Sequence, residues 1–310
     1  MESHCLTFHP LYKDRVWGGR RLESHFGRKL PGELPIGESW ELVDREDAQS
    51  IVREPEFRGA SLHDLWTDHR GEIFGEGYDF FRFPIIAKIL DASDILSVQV
   101  HPAPHRLIDP REEPKSEIWY IVAADEGSAV YAGLKQGVSR EDFQSALTEG
   151  RVSELLHRIP STPQSCISIP SGRLHAIGAG NVIFEIQQNS DTTYRVFDWN
   201  RLGLDGRPRE LHIEESLRSI DFDDFEPALT ECESETLVDW HCFRVDRWAL
   251  DSNRQANADR RFSIFQVAIG KISFSGRIFG LGDLFLVPAD SHLGTLAPVD
   301  GPATVLRTTL

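Results

Sequence analysis

The sequence contains no run of about 18 apolar residues, which excludes a helical membrane span. Residues 1–10 have neither a basic start nor an apolar core, so no secretion signal is expected there. Basic charge is in deficit: 33 Lys and Arg against 49 Asp and Glu give a net charge of −16. That balance argues against nucleic acid or an anionic membrane as partner. A small anionic substrate is still compatible with it, because a few local Lys and Arg can hold a phosphate on an acidic protein. Cysteine is scarce. Cys5, Cys166, Cys232 and Cys242 are scattered with no CxxC pair, so neither a disulfide framework nor a zinc knuckle is indicated. Reduced thiols and a cytoplasmic location are the expectation.

What is present is an ordinary globular composition: 310 residues, 40% hydrophobic and 26% charged. The length suits two domains, or one large β domain with additions. The most informative stretch is Leu96-Ser97-Val98-Gln99-Val100-His101-Pro102. It alternates with period two, as a half-buried strand does. Val98 and Val100 then face one way, and Ser97, Gln99 and His101 the other. Three polar side chains on one strand face need a polar environment. A metal site with substrate beside it provides one; a hydrogen-bonded polar face or a structural His is the alternative.

Around this stretch the chain reads as mainly β. Arg15–Gly19 reads as a strand end and turn, and residues 37–43, Phe83–Leu90, Lys115–Val122, Cys166–Pro170 and Val182–Gln188 as strands. Lys88 sits inside an apolar run, and its amine is expected at a lumen or rim. Ser61–Trp66 reads as a short capped helix. Residues 139–158 form the clearest helical segment. Ser139 and Asp142 make a capping-box pattern, and Val152, Leu155, Leu156 and Ile159 give a second helical face. The acidic stretch Asp221–Glu235 reads as a connector, and β patterning resumes from about Trp240. Ile169-Pro170-Ser171-Gly172-Arg173-Leu174-His175 is echoed weakly by Val287-Pro288-Ala289-Asp290-Ser291-His292. No Gln, His or Glu set precedes His292, so a second metal is not expected. The expected division is a domain over residues 1–225 and a C-terminal β domain over 226–310.

Pro170, Gly172 and His175 make PxGxxH, the second half of the cupin pattern: Pro ends a strand, Gly allows a tight turn, and His re-enters the barrel. The first half supplies two ligands two residues apart and then a Glu, matched here by Gln99, His101 and Glu117. Two His, a carboxylate and a weak amide ligand suit a divalent metal with an open position. The expected fold is a cupin jelly-roll β-barrel with a short helical insertion and a second C-terminal β lobe.

The longer motifs LSVQVHP, KSEIWYIV, IPSGRLHAIGAGNVIFEIQQNSDTTYRVFDWNR and RELHIEESLRSIDF, with RVWGGR and GESWELVD before them, resemble the type I mannose-6-phosphate isomerases of the short bacterial form. The likeness covers most of residues 8–222. It implies one zinc per chain held by Gln99, His101, Glu117 and His175. It implies a catalytic role for Arg195, substrate-phosphate contacts for Ser97 and Lys115, and an acidic site position at Glu185, a candidate base. His101-Pro102-Ala103-Pro104 departs from the family, which usually has acidic residues after HP. The implied reaction interconverts mannose 6-phosphate and fructose 6-phosphate through an enediol. The implied partner is a phosphosugar, with no nucleic acid or membrane, and the chain as a monomer or weak homo-oligomer. His101, Glu117 and His175 also form the two-His-one-carboxylate set of non-haem iron oxygenases. A non-catalytic sugar-binding cupin is the other alternative.

Overall fold

The structure, a computed structural model, describes residues 5–230, 234–291 and 294–310. Its strands in chain order begin with β1 (Leu11–Gly19), β2 (Ile36–Leu42), β3 (Asp44–Arg45), β4 (Ala48–Gln49), β5 (Ile85–Ala92) and β6 (Val98–Val100). Next come β7 (Glu117–Ala124), β8 (Ala129–Leu134), β9 (Leu156–Pro160), β10 (Cys166–Ile169), β11 (His175–Ile177), β12 (Asn181–Gln188) and β13 (Tyr194–Phe197). The last are β14 (Thr236–Trp240), β15 (Phe243–Leu250), β16 (Arg254–Gln255), β17 (Ser263–Phe274), β18 (Arg277–Phe279), β19 (Leu284–Val287) and β20 (Thr295–Thr309). The α-helices are short: α1 (Arg21–Phe26), α2 (Leu62–Asp68), α3 (Arg70–Ile73), α4 (Arg140–Thr148) and α5 (Ile213–Ser219). Among the described residues no helix is long and apolar enough to cross a membrane.

The chain forms two compact units. One comprises Met1–Leu11, Trp40–Lys88 and Cys232–Leu310, the other Tyr12–Ser39 and Ile89–Glu231. Most of residues 226–310 therefore fall in the first unit, together with two segments from the N-terminal part of the chain.

The second unit carries the candidate ligands. One sheet has the order β1-β2-β5-β12-β7-β10, the other β13-β6-β11-β8-β9. Pairing is antiparallel along β12-β7-β10 and throughout the second sheet. Trp17, Leu90, Trp119, Ile167 and Ile183 of the first sheet share one core with Val130, Ala132, Ile159 and Ile177 of the second. The two sheets thus pack through these inward side chains, as a jelly roll does. On the other side of the second sheet, Val98, Val100, Ala176, Tyr194 and Val196 pack with Phe143 of α4 and with Ile220. This is the mainly β, cupin-type architecture expected, built as a double sheet with distinct ends rather than as one closed barrel.

The alternation read in Leu96–Pro102 holds. Val98 and Val100 face the helices, so Gln99 points to the opposite, inter-sheet side. The helical segment is shorter than expected. Ser139 Oγ accepts from Asp142 N at 3.1 Å and Asp142 Oδ2 accepts from Ser139 N at 3.0 Å, which starts α4. Gly150, at φ +71°, follows its end. Residues 152–155 make only a 3₁₀ turn, and Leu156–Pro160 is a strand on β8, not a second helical face. Leu156 and Ile159 are both buried although three apart, a spacing that imitates a helix. A register shift in β8 between Tyr131 and Leu134 lets the strand bury both.

In the first unit, α2 starts at Ser61, whose hydroxyl accepts from Asp64 N at 3.1 Å. Trp66, Phe74 and Phe83 pack edge-on or tilted against one another, and Phe74 meets Phe262 with centroids 5.1 Å apart. That contact explains why residues 40–88 and the C-terminal segment form one unit. The C-terminal sheet β14-β15-β20-β17-β18 buries Trp248, Phe265, Phe274 and Phe285. Lys88 is buried, with its ammonium 5.2 Å from the Trp40 ring. Cys5, Cys166 and Cys242 are free thiols. His292, the residue of the sequence echo, lies outside the described residues, as does Cys232.

Candidate metal centre

The site is assembled from both sheets of the second unit. On the second sheet, Gln99 of β6 lies opposite His175 of β11 on one side and opposite Arg195 of β13 on the other. On the first sheet, Glu117 and Trp119 of β7 lie opposite Gln187 and Glu185 of β12. The inward row of one sheet therefore faces the inward row of the other. Pro170 and Gly172 precede β11. Gly172 sits at φ +96°, a conformation a side chain would strain, and its N–H bonds to His101 O at 2.8 Å. That bond ties the turn before His175 to the end of the strand carrying His101.

His101, Glu117 and His175 converge. Their ligand atoms lie within 4.8 Å of one another, and all three residues are buried. His101 Nε2 is 3.5 Å from Glu117 Oε2, and His175 Nε2 is 3.7 Å from Glu117 Oε1. Each imidazole is fixed from behind. His101 Nδ1 donates to Thr192 O at 2.9 Å and His175 Nδ1 donates to Arg173 O at 2.8 Å. A carbonyl only accepts, so the proton is on Nδ1 and the Nε2 lone pair points at the carboxylate.

Electrostatics gives the same protonation. Burial, then the nearby Lys115 ammonium, push His101 down to about 3. Burial lowers His175 as well, although Glu117 pulls the other way. Burial alone would raise Glu117, but the Lys115 ammonium, with His101 and His175 adding to it, holds it well below the usual carboxylate range. Two neutral imidazoles and one carboxylate are the ligand forms of these groups. His101 Nε2 is buried with no hydrogen-bond partner, and the Glu117 Oε2 that it faces is neutralised from another side by the Lys115 ammonium at 3.1 Å. A buried imidazole lone pair with no donor is unfavourable, and a cation between it and the carboxylate would remove that cost. The donor set fits a divalent metal.

The other expected residues are placed as follows. Gln99 donates Nε2–H to His175 Nε2 at 3.2 Å, and Ser97 Oγ is 3.5 Å from Gln99 Oε1. Lys115 is buried with Nζ 3.1 Å from Glu117 Oε2, so its charge is partnered by a ligand carboxylate. Glu185 is buried and accepts from Trp119 Nε1 at 3.2 Å. Arg195 lies in the Gln99 row. Its N–H donates to His212 Nδ1 at 3.2 Å and its Nη1 donates to Glu210 O at 2.8 Å. Burial, then Arg209, push its guanidinium below the usual arginine value.

Some participants escaped the sequence reading. The carbonyls of Thr192 and Arg173 orient the imidazoles, and backbone acceptors carry no residue-type signal. Trp119 contacts two carboxylates. Its position two residues after Glu117 on an alternating strand was the available signal.

A double-sheet fold whose inner faces bring together two imidazoles and a carboxylate defines a cupin-type protein with a candidate metal centre. Residues 6–116 match the family description "Phosphomannose isomerase type I, catalytic domain", a span holding Gln99 and His101 and ending just before Glu117. Mannose-6-phosphate isomerase ManA of Bacillus subtilis is 33% identical over 305 residues, covering 93% of this chain and 94% of the relative. The chain belongs to the type I phosphomannose isomerase family. Mannose-6-phosphate isomerase of Streptococcus mutans is 36% identical over 264 residues, 83% of this chain and 82% of the relative. A crystal structure of mannose 6-phosphate isomerase from Bacillus subtilis superposes with a TM-score of 0.87 at 29% identity, covering 99% of both chains. The structure of a protein from Archaeoglobus fulgidus shares the fold, with a TM-score of 0.78 at 22% identity over 99% of this chain and 98% of that one.

Proposed function

We propose that this protein interconverts mannose 6-phosphate and fructose 6-phosphate, with one zinc held by His101, Glu117, His175 and, more weakly, Gln99. The observation that carries the reading is the buried, unpartnered lone pair on His101 Nε2 facing the Glu117 carboxylate at 3.5 Å, with His175 Nε2 3.7 Å from the same group. Gln99 joins the set by turning its amide so that Oε1 replaces Nε2 beside His175. A bound divalent cation polarises a substrate oxygen and stabilises negative charge there. The remaining steps belong to side chains. An aldose–ketose isomerisation moves a proton between C2 and C1 through an enediol. Glu185 is the candidate base: it takes the proton from one carbon and returns it to the other. Arg195, permanently charged, faces the oxygen that becomes anionic. Ser97 and Lys115 bind substrate oxygens, the phosphate among them. The family membership, Gln99 as a potential fourth ligand, and the basic side chains of Lys115 and Arg195 favour this reading over an oxygenase using the same three ligands.

One experiment tests it. Purified protein is stripped with a chelator and assayed anaerobically in a coupled isomerase assay, before and after zinc is added back. Activity should vanish on stripping, return with about one zinc per chain, and need no oxygen. Full activity of the stripped protein, or turnover that requires oxygen, would sink the proposal.

A further inference from the structure

The structure assigns Trp119 a positioning role that links the metal centre to the candidate base; the inference rests on the function proposed above. Trp119 is fully buried, and its indole N–H is shared between two carboxylates. Nε1 is 2.9 Å from Glu117 Oε1 and 3.2 Å from Glu185 Oε2. The strand geometry dictates this. Glu117 and Trp119 are two apart on β7 and share its inward face, and Glu185 is the residue directly opposite Trp119 on β12. The indole also stands edge-on to the His175 ring, with centroids 5.4 Å apart and planes at 77°.

Two consequences follow. Anchoring Glu117 through Oε1 fixes the rotation of its carboxylate and leaves Oε2 facing His101 and Lys115. The same N–H holds Glu185 at a set distance from the ligand carboxylate. A phenylalanine would keep most of the apolar packing and lose only this link. Trp119 is therefore a positioning residue, acting through Glu117 and Glu185.

The test compares Trp119→Phe with Trp17→Phe. Trp17 belongs to the same apolar core, so its replacement measures the packing loss alone. Zinc affinity of the stripped proteins is read by competition with a chromophoric chelator, and thermal melting confirms folding. Trp119→Phe should bind zinc roughly 10–100-fold more weakly. Its kcat should fall more than its KM rises, whereas Trp17→Phe keeps both within about 3-fold of the wild type. Equal zinc affinity and kcat in the two variants would overturn the assignment. A second measurement uses wild-type protein labelled with ¹⁵N at its 7 tryptophans. Adding zinc should shift the Trp119 indole N–H resonance and leave that of Trp17 in place; an unmoved Trp119 resonance counts against the role even if Trp119→Phe does not fold. Should the wild type neither bind zinc nor isomerise phosphosugar, the functional reading itself fails. Unchanged variants of an active, zinc-binding wild type refute only the role of Trp119.

Discussion

Lys115 shows how one residue carries two demands. Its ammonium lies 3.1 Å from Glu117 Oε2, the same oxygen that faces His101 Nε2 at 3.5 Å. A buried carboxylate with a single cation partner is held ionised, which readies it as a ligand. The family likeness gives the same lysine a substrate phosphate. Both roles are compatible if a metal takes over the charge of Glu117 and frees the ammonium. Lys115→Ala should then raise the Michaelis constant for phosphosugar. A charge-assisted hydrogen bond of roughly 1.5–3 kcal/mol corresponds to a change of about one to two decades. Zinc content should be retained, because the ammonium competes with the metal and does not bind it. An unchanged Michaelis constant would confine Lys115 to Glu117. Arg195→Met keeps much of the side-chain volume and removes the charge. Turnover should drop by about 10²-fold or more with zinc retained, since Arg195 is not a ligand. A variant as active as the parent would exclude the oxyanion role.

Strand alternation decides which residues of an element serve the site and which serve the core. On β11, His175 points to the cluster with His101 and Glu117, Ala176 to the helices and Ile177 back into the inter-sheet core. Ile177→Ala should cost about 2–5 kcal/mol of stability, read as a lower urea midpoint, with zinc affinity of the folded protein unchanged. His175→Ala should show the reverse, losing zinc while remaining folded. If Ile177→Ala lost zinc as well, the division of labour along the strand would be wrong. Most of this logic was legible in the sequence, because period-two alternation is local: Ser97–His101 revealed its two faces without any knowledge of its neighbours. Ser61 and Ser139 marked helix starts for the same reason. Residues 156–160 were misread because their pairing partners on β8 lie between 22 residues (Leu134 with Leu156) and 31 residues (Ala129 with Pro160) upstream, and the apolar spacing shifts where that pairing slips register. The double contact of Trp119 depends on Glu185, which only the β7–β12 register brings opposite it.

For the whole molecule, the candidate metal centre couples titration to stability. His101 has a folded pKa of about 3, against about 6.5 for an unperturbed imidazole. Below about pH 6.5 the unfolded chain takes up a proton that the folded chain refuses. The stability His101 contributes is therefore complete above that pH and is lost as pH falls toward 3. His175, also depressed by burial, contributes in the same direction. Metal-free protein should melt at progressively lower temperature between pH 7 and pH 5, and His101→Asn should flatten that slope. Zinc bound as proposed would take the neutral imidazoles of the folded state and so add to their resistance to protonation. At about 100 times its dissociation constant, a ligand specific for the folded state stabilises by roughly 2.7 kcal/mol. Adding zinc at pH 7 should raise the melting temperature of the stripped wild type and leave that of His175→Ala unmoved. The increment in the wild type should shrink on acidification, because protons compete with zinc for the same Nε2 atoms once the chain unfolds or the ligands titrate. Equal zinc-induced shifts in the wild type and His175→Ala would place the metal elsewhere in the chain, and the pairing of His101 with Glu117 would then need another cause.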